Sequence, residues 1–269
     1  MHKQVKKNQV TFNVNGSLEV WETVEDNSWE SSTFAVLDHY IKPSHTVVDI
    51  GAWIGPITLY CASLANHCFS FEPDPVAYKE FSENIKLNPS LAAKITAFNK
   101  AITTDGKPVK LFSRFSHGDS GSSLLKRIKS KNDFVEAESL TFTRFTEIHA
   151  VPKIDFIKMD VEGSEFFLLP TMLEYLKKNK PTLLISFHHA ALCEFFQLRY
   201  MPVGLLRRIY RFLFPSQQHF KKMADNEIIK IISQLNFYDV FDTHLNKVSV
   251  ESLSQAGLEN IDSLVFHKS

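Results

Sequence analysis

Val47-Val48-Asp49-Ile50-Gly51-Ala52-Trp53-Ile54-Gly55 is the stretch whose reading decides the fold. Thr46–Ile50 is a short β-branched run of the kind buried on both faces of a parallel sheet. Gly51 then permits a sharp turn, and Pro56 opens a predicted helix to Ala65, where its missing N–H would have no partner anyway. A strand, a glycine turn and a helix start together bring backbone N–H groups close to a ligand. The dinucleotide fingerprint spaces its glycines as G-x-G-x-x-G. Here Trp53 and Pro56 stand at the second and third glycine positions. An indole at 53 obstructs a pyrophosphate, so the turn suits a ligand without one and argues against a nicotinamide-dependent oxidoreductase.

Working outward, His67–Phe71 reads as a second strand, and Glu72 follows it about twenty residues after the glycine turn. A carboxylate there can accept both hydroxyls of a ribose. Gly51 and Gly55 alone are equally well explained by helix–strand packing; Glu72 at this spacing favours the nucleotide reading. Asp49, at the end of the first strand, either orients the turn or faces a ligand ammonium. Asp74 can cap a helix that has Pro75 at its first position and Tyr78, Phe81 and Ile85 on one face. Ile95–Phe98 is a third strand, Val109–Phe112 another, and Ser116–Ser123 (SHGDSGSS) a surface loop. Ile154–Met159 and Thr182–Phe187 are strands with a helix, Phe166–Leu176, between them. Residues 191–235 read as helical, broken at Pro202 and Pro215, and Phe237–Phe241 and Ser263–Phe266 close the sheet. Before all this, Val10, Phe12 and Val14 alternate, then Leu18 and Val20, which predicts a hairpin turning at Asn15-Gly16. A helix through Phe34, Val36, Leu37 and Tyr40 should stop before Pro43. The expected organisation is an N-terminal hairpin and helix (1–45) packed on a main α/β domain (46–269) with a helical insertion at 191–235. Alternating strands and helices imply a mostly parallel sheet covered on both faces.

Composition bounds the rest. A chain of 269 residues with 44% hydrophobic content forms a well-buried core, and no linker divides it. Thirty basic and thirty acidic side chains balance, which removes the electrostatic case for a nucleic-acid partner. Cys61, Cys68 and Cys193 are too few and too scattered for a disulfide framework or a zinc site. The basic start, MHKQVKK, has no apolar run after it, and no uncharged stretch spans a bilayer, so the expectation is a cytoplasmic chain without an integral membrane segment. Arg199, Arg207, Arg208 and Arg211 alternate with Leu205, Leu206, Ile209, Leu213 and Phe214; this reads as a core face with a solvated charged side, with a lid or a membrane contact as the rarer uses of such a stripe. No signature of a particular oligomeric state is visible.

VVDIGAWIG, Phe71–Pro75 (FEPDP), Gly118–Leu125 (GDSGSSLL) and Ile154–Pro170 (IDFIKMDVEGSEFFLLP) occur in the order found in the FkbM family of S-adenosylmethionine (SAM)-dependent methyltransferases, which the chain resembles from about Glu30 to Phe187. The Lys158–Glu165 string, K-x-D-x-E-G-x-E, is the most specific element of that resemblance. Two positions depart from it: Trp53 replaces the asparagine of the family's G-A-N-x-G, and Ile185-Ser186-Phe187-His188 lacks a glutamate before the histidine. The resemblance implies a Rossmann-like class I methyltransferase fold, a three-layer α/β/α sandwich with a mostly parallel seven-stranded sheet and an antiparallel last strand. It also implies O-methylation of a hydroxyl on a sugar, glycan or related polar metabolite.

Carried over by motif, Asp49, Gly51, Ala52 and Gly55 surround the methionine part of SAM, Glu72 holds the ribose, Pro73 and Asp74 form its rim, and Lys100, Ala101 and Ile102 flank the adenine. Methyl transfer needs an acceptor oxygen aligned with the S–CH₃ bond, a dry site and a route for one proton. Asp160 and Glu162, just past the fourth strand, and His188, after the fifth, stand at the strand ends that meet at the ligand crevice of open α/β sheets, and are the candidate catalytic residues. Structural uses compete: Asp160 as a cap or an ion pair with Lys158, Glu162 and Glu165 as favourable charges at a helix start, His188 as a satisfied polar residue. The same trio suits magnesium, but SAM is its own electrophile and the expectation is a site without metal. Ser120, Ser122 and Ser123 either contact a polar acceptor or form a solvated turn. A non-catalytic SAM-binding module is the alternative within this fold.

Overall fold

The computed structural model describes residues 2–16, 18–113, 116–126, 134–151, 153–201, 209 and 218–268. The chain opens with a hairpin, β1 (Lys3–Lys7) and β2 (Val10–Val14), then α1 (Leu18–Glu25) and α2 (Ser31–Tyr40). There follow β3 (Thr46–Ile50), α3 (Pro56–Leu64), β4 (His67–Phe71), α4 (Pro75–Lys86), the short α5 (Pro89–Ala92) and β5 (Ile95–Phe98). Short pieces come next: β6 (Ala101–Ile102), β7 (Val109–Phe112), β8 (Phe134–Ala137), β9 (Ser139–Leu140) and α6 (Phe142–Ile148). The second half holds β10 (Phe156–Met159), α7 (Glu165–Asn179), β11 (Thr182–Ser186), α8 (His189–Tyr200), α9 (Gln218–Gln234), β12 (Asp239–Phe241), α10 (Val250–Ala256) and β13 (Ser263–His267).

Seven strands form one sheet in the order β5-β4-β3-β10-β11-β13-β12. The first five are parallel, while β13, the last in sequence, runs antiparallel between β11 and β12. This is the class I methyltransferase sheet that the family resemblance implied. Each strand alternates its side chains between two cores. Val47, Cys68, Phe156, Leu184 and Val265 meet α3 and the N-terminal elements through Ile57, Leu59, Phe34, Trp21 and Phe12. Val48, Phe69, Ile157, Leu183 and Phe266 face the other way, onto Phe145, Leu169, Met172, Leu192 and Ile228 from α6 to α9. Because α3 and α7 cover opposite faces, the chain leaves β3 and β10 in opposite directions and a crevice opens between their carboxyl ends.

The N-terminus corrects one expectation. The hairpin turns at Asn8-Gln9, not at Asn15-Gly16, and Leu18–Glu25 is helical. Helical spacing places Trp21 and Val24 together in the core, which outweighs the short alternation read at Leu18 and Val20. The strand that was missed, KQVKK, hides behind its lysines. Lys7 is buried because its ammonium donates to the Val24 carbonyl (3.0 Å) and the Asn27 side chain (2.7 Å), above the Phe34 ring. Pro202 and Pro215 and most of the arginine-bearing stripe lie outside the described residues. No helix among the described residues is long and apolar enough to cross a membrane.

Candidate active site

The glycine turn is built from the sheet outward. Gly51 and Ala52 both donate their N–H to the Phe71 carbonyl at 3.0 Å, tying the turn to the end of β4. Gly51 has φ +92°, and a Cβ there would lie 1.9 Å from the carbonyl oxygen of Asp160. Only a glycine lets the ends of β3 and β10 come this close. Trp53 also adopts a left-handed backbone, φ 50°. Its indole N–H donates to the Gly118 carbonyl (2.9 Å) and its ring lies against Trp29, so the substitution that set this chain apart in sequence ties the turn to neighbouring segments.

Around this turn opens a cavity. Gly51, Ala52, Glu72, Pro73, Ala101 and Ile102 line it, and so do Asp160 and Glu162. Asp49, Gly55 and His188 do not: Asp49 is wholly buried behind the turn, and the space a Cβ on Gly55 would need is filled by the Phe81 ring. The wall also includes Asp119 and Leu124, from the Gly118–Leu125 motif, and Trp29 and Leu111, which sequence reasoning missed. No local pattern marks Trp29 or Leu111, because only the fold brings their separate segments together.

Glu72 is 6% exposed, with Oε2 accepting the Trp53 N–H and Oε1 the Asp74 N–H, both at 2.7 Å. Two donors fix its plane and leave lone pairs for a diol. Burial pushes its carboxyl up to about 7, against the pull of those two N–H groups. The folded chain therefore keeps this proton to higher pH than an unfolded one. Its contribution to stability is present in full below the usual 4.5 and is lost as pH rises through about 7. A diol prefers a carboxylate, so if Glu72 holds the ribose of an adenosyl ligand, affinity should rise about tenfold from pH 6 to pH 8 in calorimetric titration. A flat profile would separate Glu72 from the ligand.

Asp74 is the expected helix cap, with Oδ1 accepting from Val76 and Ala77. Its other oxygen takes the Gly118 N–H and the Ser122 hydroxyl, each at 2.8 Å. Ser123, read as part of a surface loop, is buried and donates to the Glu162 carbonyl at 2.7 Å. The serine-rich stretch thus turns inward, and Asp119, Ser120 and Ser122 join the cavity wall. One buried carboxylate that accepts from both a helix start and a loop is reason enough for that fold-back.

At the end of β10, Lys158 is 5% exposed and donates to the Gly51 carbonyl at 3.1 Å. Its ammonium lies 3.3 Å from Asp160 and 3.7 Å from Asp49. Burial alone would lower its pKa; Asp160 and Asp49 reverse that and hold it above the usual range. For Asp160, burial acts to raise the carboxyl, and Lys158 and then His188 outweigh it, so it stays ionised. Burial pushes Asp49 the other way, upward, against the pull of Lys158. His188 is disfavoured as a cation by burial, yet Glu162, Glu165 and Asp160 around it raise its pKa well above the free value. Those three carboxylates stand within 3.5 Å of the ring nitrogens and hold the imidazole in position.

The chain is similar to several known proteins. Hexuronic acid methyltransferase AglP of Haloferax volcanii is 26% identical over 170 residues, covering 62% of this chain and 65% of that protein. The chain therefore spans just under two thirds of that relative's length. Among solved structures, methyltransferase FkbM from Methylobacillus flagellatus KT aligns over 94% of this chain and 56% of its own, with 15% identity and a TM-score of 0.45. Precorrin-6y C5,15-methyltransferase from Geobacter metallireducens GS-15 covers 88% of this chain and 87% of its own, with 11% identity and a TM-score of 0.40. The family described as methyltransferase FkbM domain matches residues 49–237, from the aspartate before the glycine turn to just short of β12. The chain belongs to the FkbM methyltransferase domain family.

Proposed function

We propose that the chain is a SAM-dependent O-methyltransferase acting on a hydroxyl of a sugar, glycan or related polar metabolite, and that it works in the cytoplasm. The observation that carries this reading is a single cavity, at the crevice between β3 and β10, whose wall holds both Glu72 and the pair Asp160 and Glu162. The residues fit the cofactor. Glu72 offers a fixed carboxylate for the ribose, and Ala101, Ile102 and Leu111 offer apolar surface for an adenine. The Cβ-less Gly51 brings the turn against Asp160, and the hollow stays clear of the chain's own side chains. When bound, SAM supplies an electrophilic methyl group on a sulfonium sulfur.

The chain's own part is to position, exclude water and move one proton. Asp160 accepts the hydrogen bond of the acceptor hydroxyl and aims its oxygen, and Glu162 accepts from a neighbouring hydroxyl of the acceptor. Asp160, kept ionised by Lys158 and His188, takes the hydroxyl proton as the oxygen attacks. Trp53 and the 116–126 segment close over the turn and shed water. The sugar-acid activity in the name of the Haloferax relative supports a carbohydrate acceptor over a nucleic acid, as does the balance of 30 basic and 30 acidic side chains.

The test joins two measurements. Calorimetry should detect SAM and not NAD, and labelled SAM should pass its methyl group to a member of a panel of sugars, uronic acids and glycosides. NAD binding without SAM binding would turn the reading to an oxidoreductase; SAM binding with no labelled product would turn it to a non-catalytic module. Replacing Glu72 by glutamine should weaken SAM binding about tenfold to a hundredfold, the loss of charge-assisted bonds worth about 1.5–3 kcal/mol.

A further inference from the structure

The ends of β10 and β11 bring together three donors that proton transfer does not fully use. Asp160 divides its two oxygens: Oδ2 lies 3.3 Å from the Lys158 ammonium, and Oδ1 lies 3.3 Å from His188 Nε2. Glu162 Oε1 stands 3.5 Å from the same nitrogen. Ligand atoms of the three residues all lie within 4.8 Å of one another. Neighbouring ligands on an octahedral Mg²⁺ or Mn²⁺, with bonds of ~2.1 Å, stand about 3 Å apart, so the two short gaps need only close slightly.

A residue outside the trio points the same way. Glu165 is wholly buried, and its Oε1 accepts the His188 main-chain N–H at 2.8 Å and faces His188 Nδ1 at 3.3 Å. Its Oε2 accepts the Gly163 N–H at 2.9 Å, so one carboxylate steadies both the imidazole and the turn that carries Glu162. A carboxylate behind the far nitrogen orients the ring and leaves Nε2 as the donor atom, which is the support that metal-bound histidines have. The third feature is access. Asp160 and Glu162 are part of the cavity wall, whereas His188 and Glu165 are not. A cation held here has protein ligands on one side and exchangeable positions toward the cavity.

We propose that Asp160, Glu162 and His188 hold a divalent cation of the Mg²⁺ and Mn²⁺ class, whose remaining positions take two adjacent oxygens of the acceptor. This rests on the methyl-transfer reading above and refines it. The acceptor class becomes one that chelates: a vicinal diol or a hydroxyl beside a carboxylate. With the cation bound, Asp160 serves as a ligand in place of its role as base: the coordinated hydroxyl is acidified and gives its proton to solvent at the cavity mouth. Its oxygen forms the O–CH₃ bond as the S–CH₃ bond breaks, and the sulfur keeps the electron pair as a neutral thioether.

The test is Mn²⁺ binding to the chelator-treated full chain, read as loss of the free-ion electron paramagnetic resonance signal. The expected result is about one ion per chain. Glu162→Gln and His188→Gln should each weaken it, and Glu165→Gln should weaken it about 10–100-fold through the ring alone. SAM affinity measured without metal should not change in Glu162→Gln. Absence of Mn²⁺ uptake at millimolar concentration, or unchanged uptake in both ligand variants, overturns the cation site. Full-rate methyl transfer under chelator by a chain that takes up no Mn²⁺ overturns it too, and leaves the methyltransferase standing. Mn²⁺ uptake by a chain that binds no SAM supports the cation site and overturns the methyl-transfer reading instead.

Discussion

Asp160→Asn should lower turnover by about 10²–10⁴-fold, the usual worth of a positioned acid or base, while SAM affinity stays within about threefold. The asymmetry follows from where the side chain stands. Asp160 lies on the cavity wall at the end of β10, while the ribose-binding candidate, Glu72, ends β4, with β3 between the two strands. An amide at 160 keeps the shape and loses the charge. Lys158 would retain Asp49 and the Gly51 carbonyl as partners, so the variant should fold. Single-turnover kinetics and calorimetry on the same preparation check both halves. The reverse pattern, with SAM binding lost and turnover at saturation kept, would make Asp160 a cofactor ligand.

Gly51→Ala should be the most damaging of the glycine-to-alanine substitutions among the described residues. A methyl group there would sit 1.9 Å from the Asp160 carbonyl oxygen, and the backbone is already at φ +92°. That oxygen belongs to the main chain just past β10, whose N–H is bonded to Ile50, so it cannot move without opening the β3–β10 pair. Left-handed strain costs about 1–3 kcal/mol and the clash about as much again. A loss of roughly 3–5 kcal/mol lowers the melting temperature by roughly 10 °C or more. A melting temperature within about 2 °C of the parent would show that the turn relaxes and that the close approach of the two strands is not needed. Gly55→Ala is a useful companion, because its methyl would press on the Phe81 side chain, away from the cavity wall.

What could be read before folding was what nearby residues impose on each other. Val47–Gly55 gave the strand, the turn and the helix start in place, and Asp74-Pro75 gave the cap of α4 with its hydrogen bonds. Glu72 stood out by its distance from Gly51, since strand and helix lengths in a β-α-β unit vary little. Where local signals were faint or split, the reading slipped. KQVKK has one apolar residue in five, so β1 was missed, and the alternation around Leu18 concealed a helix. The serine-rich stretch has a turn composition, and nothing in it says that the second oxygen of Asp74 will draw it inward.

The amino-acid order alone determined the α/β class, the crevice at the first strand–helix junction and the acidic residue one strand over. Each of these depends on residues within a few turns of chain, where the backbone allows few alternatives. Only the tertiary structure decided that Asp49 would join the Lys158–Asp160 pair, that Glu165 would steady His188 from 23 positions away, and that Trp29 would reach the cavity. Those contacts arise when the sheet aligns the ends of β3, β10 and β11 side by side. Their partners are chosen by burial and unmet charge, quantities that no stretch of sequence carries by itself.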